Sequence, residues 1–150
     1  MVRGLNESYY YCTVSNDAGS ATSTRALLTV YYAPSIKTQP TDQNVNVGTK
    51  ATFAIVANAG NPSTTTYKWQ YRTSASATWA DCTTTQGTGM TTSSFTTVAT
   101  TMAMNGYQYR CIIGNVQYPS VATSNAATLT VKKLNITPKV NMTGYTYGDT

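Results

Sequence analysis

The chain has 150 residues, a net charge of +5 and no histidine, which removes Ser-His-Asp and Cys-His catalytic sites and histidine-based metal sites. Thr supplies 30 of the 150 residues and charged residues only 10%, a composition that suits solvated β-strands and exported proteins more than cytosolic enzymes. The ten Lys and Arg are scattered, so no run favours nucleic acid or a membrane surface, and no segment has the apolar length of a membrane span.

In chain order, Tyr9 to Ser15 is expected as a strand, Asn16-Asp17-Ala18-Gly19 as a turn and Arg25 to Tyr31 as the partner strand. Two strands with one hairpin cannot hold a core, so residues 1–32 are expected to be the tail of a preceding domain. No apolar leader follows Met1, which for an exported chain points to a piece of a longer protein. Pro34 fixes φ and has no N–H for a ladder, so it ends the second strand. Ser35 to Pro40 is the next strand, with Pro40 kinking it where it changes sheets. Val45 and Val47 alternate before Gly48. Ala51, Phe53, Ile55 and Ala57 then alternate along a strand, and residues 58–62 form a loop.

Tyr67, Trp69 and Tyr71 alternate against Lys68, Gln70 and Arg72, the period-two signature of a half-buried strand. Trp79 falls in a short strand within Ala77 to Asp81, and Gln86-Gly87-Thr88-Gly89 is a loop. Phe95, Thr97 and Ala99 mark another strand. Asn105-Gly106 is a turn of two residues that both tolerate positive φ. After it, Tyr107, Tyr109, Cys111 and Ile113 share one face, while Gln108, Arg110 and Ile112 share the other. Ala126 to Val131 is the last strand of this unit. At Lys132 the texture changes, and Leu134 to Lys139 begins another strand. The chain also repeats itself: Tyr10 matches Tyr109 at an offset of 99, and Leu28-Thr29-Val30 matches Leu129-Thr130-Val131 at an offset of 101. The two-residue difference falls in the intervening hairpin, where insertions are tolerated.

Tyr67-Lys68-Trp69-Gln70, Trp79, the run Asn105 to Cys111 and the run Ser124 to Val131 together resemble bacterial immunoglobulin-like repeats of large surface or secreted proteins. The opening Ala33-Pro34, Ile36 and Gln39-Pro40 fits the same family. Tyr145-Thr146-Tyr147-Gly148-Asp149 resembles the opening of an MBG-type repeat. The resemblance implies an all-β, immunoglobulin-like antiparallel sandwich with Greek-key connections. It implies three parts: strands F and G of a truncated domain at 1–32, a complete domain at 33–131, and the opening of a third β domain at 132–150. It makes Trp69 the core tryptophan of strand C and places Cys111 on strand F. Tyr109 becomes the tyrosine-corner residue, its hydroxyl bonding nearby backbone. Ile55 stands where disulfide-bearing members carry the partner cysteine, so the usual inter-sheet bridge cannot form. The implied role is non-enzymatic and extracellular, at the cell surface or secreted, in adhesion, ligand binding or spacing. The alternative is an accessory, carbohydrate-binding domain of a secreted carbohydrate-active enzyme. Ile55 and the change of texture at Lys132 argue against an animal receptor fragment.

Of the three cysteines, Cys12 belongs to the truncated part. Cys111 reads either as a buried free thiol or as a partner of Cys82. Glu7, Asp17, Asp42, Asp81 and Asp149 are isolated, which suits neither a glycosidase pair nor a calcium site. Asp42 and Asp81 read as turn residues. No glycine-rich phosphate loop is present, and no cofactor is implied. One surface is a candidate for a protein or glycan partner: Lys68, Gln70 and Arg72 beside Gln108, Arg110 and Ile112. Its other reading is a solvated sheet face, which antiparallel sheets normally present. Tyr9, Tyr11, Tyr31, Tyr32 and Tyr118 fall outside the inward pattern and suit a ligand platform, while packing at the joint between repeats explains Tyr31 and Tyr32 equally well. In a bacterium the sequons at Asn6, Asn135 and Asn141 are chance products of the high Thr content.

Overall fold

The structure, a computed structural model, describes residues 3–134. The strand expected over Leu134 to Lys139 lies outside them beyond Leu134, as do the Gly148-Asp149 motif and the sequons at Asn135 and Asn141. The first four strands form a small ribbon: β1 (Ser8–Tyr10), β2 (Thr13–Asn16), β3 (Gly19–Thr22) and β4 (Ala26–Leu28), with β1 paired to β4 and β2 to β3. The single strand expected over Tyr9 to Ser15 is thus divided at Tyr11 and Cys12. The Cys12 N–H bonds the Ser23 hydroxyl at 3.0 Å in place of a backbone carbonyl; the strand through Cys111 carries the same bond and stays continuous because the strand through Trp69 pairs along its other edge.

The sandwich follows. It comprises β5 (Ser35–Thr38), β6 (Gln43–Asn46), β7 (Thr52–Ala54), β8 (Val56–Asn58), β9 (Thr66–Arg72), β10 (Ala80–Asp81), β11 (Gly87–Thr88), β12 (Ser94–Thr97), β13 (Gln108–Gly114), β14 (Ala122–Thr123) and β15 (Ala127–Lys132). One sheet runs β10-β9-β13-β15-β6, with β14 added beside β13; the other is built from β11-β12-β7 and the pair β5-β8. The segment around Pro40 does carry the chain across, since β5 pairs with β8 on one sheet and β6 pairs with β15 on the other. That last pair is parallel, so the sandwich is not wholly antiparallel. The turn before β13 is also simpler than expected: Gly106 takes φ 87°, while Asn105 stays at −64°.

The alternating residues meet between the sheets. Phe53, Trp69, Phe95, Tyr109, Cys111, Ile113, Ala127 and Leu129 are all fully buried, and Ala51, Ile55, Cys82 and Val131 nearly so. Each large apolar side chain so placed contributes about 1.5–3 kcal/mol relative to exposure. Phe53 stacks on Tyr109 with ring centroids 4.6 Å apart, and Phe95 packs on the same ring at 5.5 Å. Trp69 is held in place by its indole N–H, which donates to the Thr92 carbonyl at 2.9 Å.

One expectation about this core is overturned, and one of the two readings of Cys111 gives way to the other, the buried free thiol. Tyr109 is buried as the resemblance implies, but its hydroxyl has no hydrogen-bond partner. The phenol points into the aromatic cluster of Phe53, Phe95 and Tyr71, so the backbone bond of a tyrosine corner is absent. The bridge between Cys82 and Cys111 is excluded too, and both thiols are free. Cys111 pairs across the ladder with Trp69, and the Cys82 N–H donates to the Trp69 carbonyl from the other side. The two cysteines therefore flank one intervening strand. Two strand spacings put them roughly 9.5 Å apart, beyond the ~7 Å reach of a disulfide.

Candidate functional site

Alternation along β9 and β13 sends Lys68, Gln70, Arg72, Gln108, Arg110 and Ile112 to the outer side of the larger sheet. The register places Gln108 opposite Arg72, Arg110 opposite Gln70 and Ile112 opposite Lys68. The candidate residues form a ladder of side-chain bonds. Arg72 Nε donates to Gln108 Oε1 at 2.8 Å, and Gln108 Nε2 donates to Thr128 Oγ1 at 3.3 Å. Arg110 donates through Nε and Nη2 to Gln70 Oε1 at 3.0 and 2.8 Å. Gln70 Nε2 then donates to Asp81 Oδ1 at 2.7 Å, and Lys68 Nζ pairs with Asp81 Oδ2 at 3.3 Å. Asp81 is a strand residue of β10 and not the turn residue expected. The Gln70 amide and then the Lys68 ammonium hold its carboxyl below the usual value.

Trp79 completes this face, and the sequence reading did not place it there. Ala80 pairs with Tyr71 and Asp81 with Gln70, so continuing the register by one residue brings Trp79 opposite Arg72. Its indole carries the Arg72 guanidinium at 4.6 Å and the Arg110 guanidinium at 4.2 Å from the ring centroid. Such contacts offset part of the cost of holding two cations together. Burial, and then the charge of Arg72, lower the pKa of Arg110. The only carboxylate in the ladder is bound by Gln70 and Lys68, so neither arginine has an acidic partner on this face. The arrangement can accept an anion. Behind this face, in the core, burial pushes the thiols of Cys82 and Cys111 up to about 12, away from the reactive thiolate form. No three His, Cys, Asp or Glu side chains gather among the described residues.

A second constellation lies where the ribbon meets the sandwich. Asn61 Nδ2 donates to the Val30 carbonyl at 2.6 Å and to Asn6 Oδ1 at 3.1 Å. The backbones of Tyr32 and Asn61 exchange two hydrogen bonds, at 3.2 and 2.8 Å. Gly60 sits so tightly that a Cβ there would collide with the Tyr32 carbonyl, the Pro34 nitrogen and the Asn115 side chain. The sequence showed only a Gly-Asn-Pro loop at this point; the partners lie about 30 and 55 residues away, which no local pattern encodes. Of the tyrosines outside the inward pattern, Tyr9, Tyr11 and Tyr31 are exposed, while Tyr32 and Tyr118 are half-buried.

No family model matches the sequence, and no curated protein matches it. Solved structures do match in fold. The N-terminal eight Ig domains of Down syndrome cell adhesion molecule isoform 1.30.30 align with a TM-score of 0.63 at 19% identity, over 83% of this chain and 15% of that one. Sidekick-1 immunoglobulin domains 1–5 align with a TM-score of 0.56 at 19% identity, over 85% of this chain and 26% of theirs. The tandem Ig repeats of Dlar align with a TM-score of 0.53 at 21% identity, over 87% of this chain and 65% of theirs. The chain thus spans less than two thirds of each. Residues 33–150 are 118 of 150, or 79%, so all three alignments reach into the ribbon as well. At these identities the likeness is one of fold, and the fold is an immunoglobulin-like β-sandwich.

Proposed function

We propose that the chain is a non-enzymatic, extracellular immunoglobulin-like module of a multidomain bacterial surface or secreted protein, acting as one link in a tandem array that spaces other domains. The observation that carries this reading is the joint at Asn61. A flexible tether needs no fixed contacts, whereas Asn61 bonds the ribbon through two side-chain and two backbone hydrogen bonds. The test is ¹⁵N relaxation on the whole chain. Residues 8–28 are expected to tumble with residues 35–131, and Asn61→Ala is expected to release the ribbon into faster independent motion. Independent motion already present without the substitution would make the connection a loose tether and remove the fixed-spacer reading.

A second reading, adhesion through the outer face, is favoured by one observation: Arg72 and Arg110 share an indole and lack a carboxylate partner. Guanidinium groups pair best with planar carboxylates, so the fitting partner is an acidic protein segment. The carbohydrate-accessory alternative draws no support here, because the indole that would stack on a sugar already carries two guanidinium groups. The probe is an oligoglutamate peptide at low ionic strength. Arg72→Ala with Arg110→Ala is expected to weaken its binding roughly tenfold, and Lys132→Ala with Lys133→Ala to leave it nearly unchanged. Equal losses in both variants would reduce the effect to net charge and sink the adhesive reading.

A further inference from the structure

The ribbon repeats the hairpin β13–β14–β15 bond for bond. Tyr10 faces Ala26 as Tyr109 faces Ala127, and Val14 faces Ala21 as Ile113 faces Ala122. The Cys12 N–H bonds Ser23 Oγ at 3.0 Å, and the Cys111 N–H bonds Ser124 Oγ at 2.9 Å. The Ser23 N–H returns to the Cys12 carbonyl as the Ser124 N–H returns to that of Cys111, each at 2.8 Å. Asn6 Oδ1 accepts the Val30 N–H as Asn105 Oδ1 accepts that of Val131, each at 2.9 Å. Even the positive φ is shared, 65° at Glu7 and 87° at Gly106. Equal bonding at equal register makes the two hairpins present equivalent faces.

The burial of those faces differs completely. Tyr109, Ile113 and Leu129 are 0% exposed, whereas their counterparts Tyr10, Val14 and Leu28 are 50%, 63% and 38% exposed. Cys111 is buried and Cys12 exposed. We infer that the face formed by Tyr10, Cys12, Val14, Ala26 and Leu28 is the docking surface for the strands equivalent to β5–β12 in an immunoglobulin-like unit carried earlier in the same polypeptide. A second copy of this chain fits poorly, because its own β5–β12 are already covered by β13 and β15, with Phe53, Trp69 and Phe95 fully buried. The occupant's chemistry follows from the sandwich. In place of Phe53 and Phe95 it brings aromatic side chains onto the Tyr10 ring, and in place of Trp69 a large strand-C residue opposite Cys12.

The inference deepens the array reading, yet a loose Asn61 joint would leave its own test intact. That test is thiol labelling of Cys12. In the 150-residue chain Cys12 should react at the rate of an open thiol, with Cys82 and Cys111 silent. In the parent polypeptide, Cys12 should slow by roughly 100-fold or more, as a site that reacts only on local opening does. Tyr10→Asp in that parent should restore its reactivity while the 33–131 sandwich keeps its melting temperature. Unchanged reactivity in the parent, or a parent lacking an upstream unit, overturns the inference. So does a 150-residue chain that sediments as a dimer with Cys12 protected, since a second copy would then be the occupant.

Discussion

Tyr109 shows how far one residue can depart from the role a resemblance implies. Its ring does what a core aromatic should, stacking on Phe53 and Phe95. Its hydroxyl is buried with no partner, and such a group costs about 1–3 kcal/mol. Tyr109→Phe removes the cost and almost no packing, so it is expected to raise stability by about 1 kcal/mol in urea unfolding. A tyrosine corner predicts the reverse, and a loss of similar size would show that the hydroxyl finds a bond in solution. The sequence revealed this ring but not its bond. Period two shows which side chains turn inward; it cannot show what meets an oxygen at the far end of one. Ile55 was legible for the same reason: it is inward by alternation and buried in fact. Cys82 was not, because its distance from Cys111 depends on strand order.

At the scale of strands, hairpins were legible from their turns and the pairing of β9 with β13 from the resemblance, while other long-range pairings were not. Tyr107 to Ile113 became β13, Tyr67 to Arg72 became β9, and the offsets of 99 and 101 reappear in the registers of two hairpins. Turns with Asn, Gly and Asp report on neighbours a few residues apart, and hairpins need no more. The parallel pairing of β6 with β15 joins residues about 86 apart, and nothing in Gln43 to Asn46 names its partner. The outer face shows the same limit. Alternation placed Lys68, Gln70, Arg72, Gln108 and Arg110 on one side, yet Trp79 joins them only because β10 folds back on β9 with Ala80 opposite Tyr71. Without that register, a tryptophan in a short strand carries no address.

At the scale of the whole molecule, the buried acids of the sandwich set its response to pH. Burial pushes the thiols of Cys82 and Cys111 up to about 12 and raises the Tyr109 phenol as well. An unfolded chain releases a cysteine proton near pH 8.5, so between about 9 and 12 the folded state holds more protons than the unfolded one. Stability therefore falls as pH rises through that window, approaching about 1.4 kcal/mol per pH unit for each thiol. On the acid side, Asp81 is held below its usual value by Gln70 and Lys68. Its small contribution is present above about pH 4 and lost as pH falls, and its half-exposed side chain keeps that contribution slight. The check is urea unfolding at one-unit steps from pH 8 to 11, comparing the natural chain with Cys82→Ala, Cys111→Ala. Every group other than the two thiols is common to both chains, so the difference isolates the thiols. The natural chain should lose stability faster with pH, with the gap in slopes growing toward about 2.7 kcal/mol per unit. Parallel slopes would mean that water reaches both thiols in the folded protein, and that the two sheets do not close over Trp69 as tightly as its burial requires.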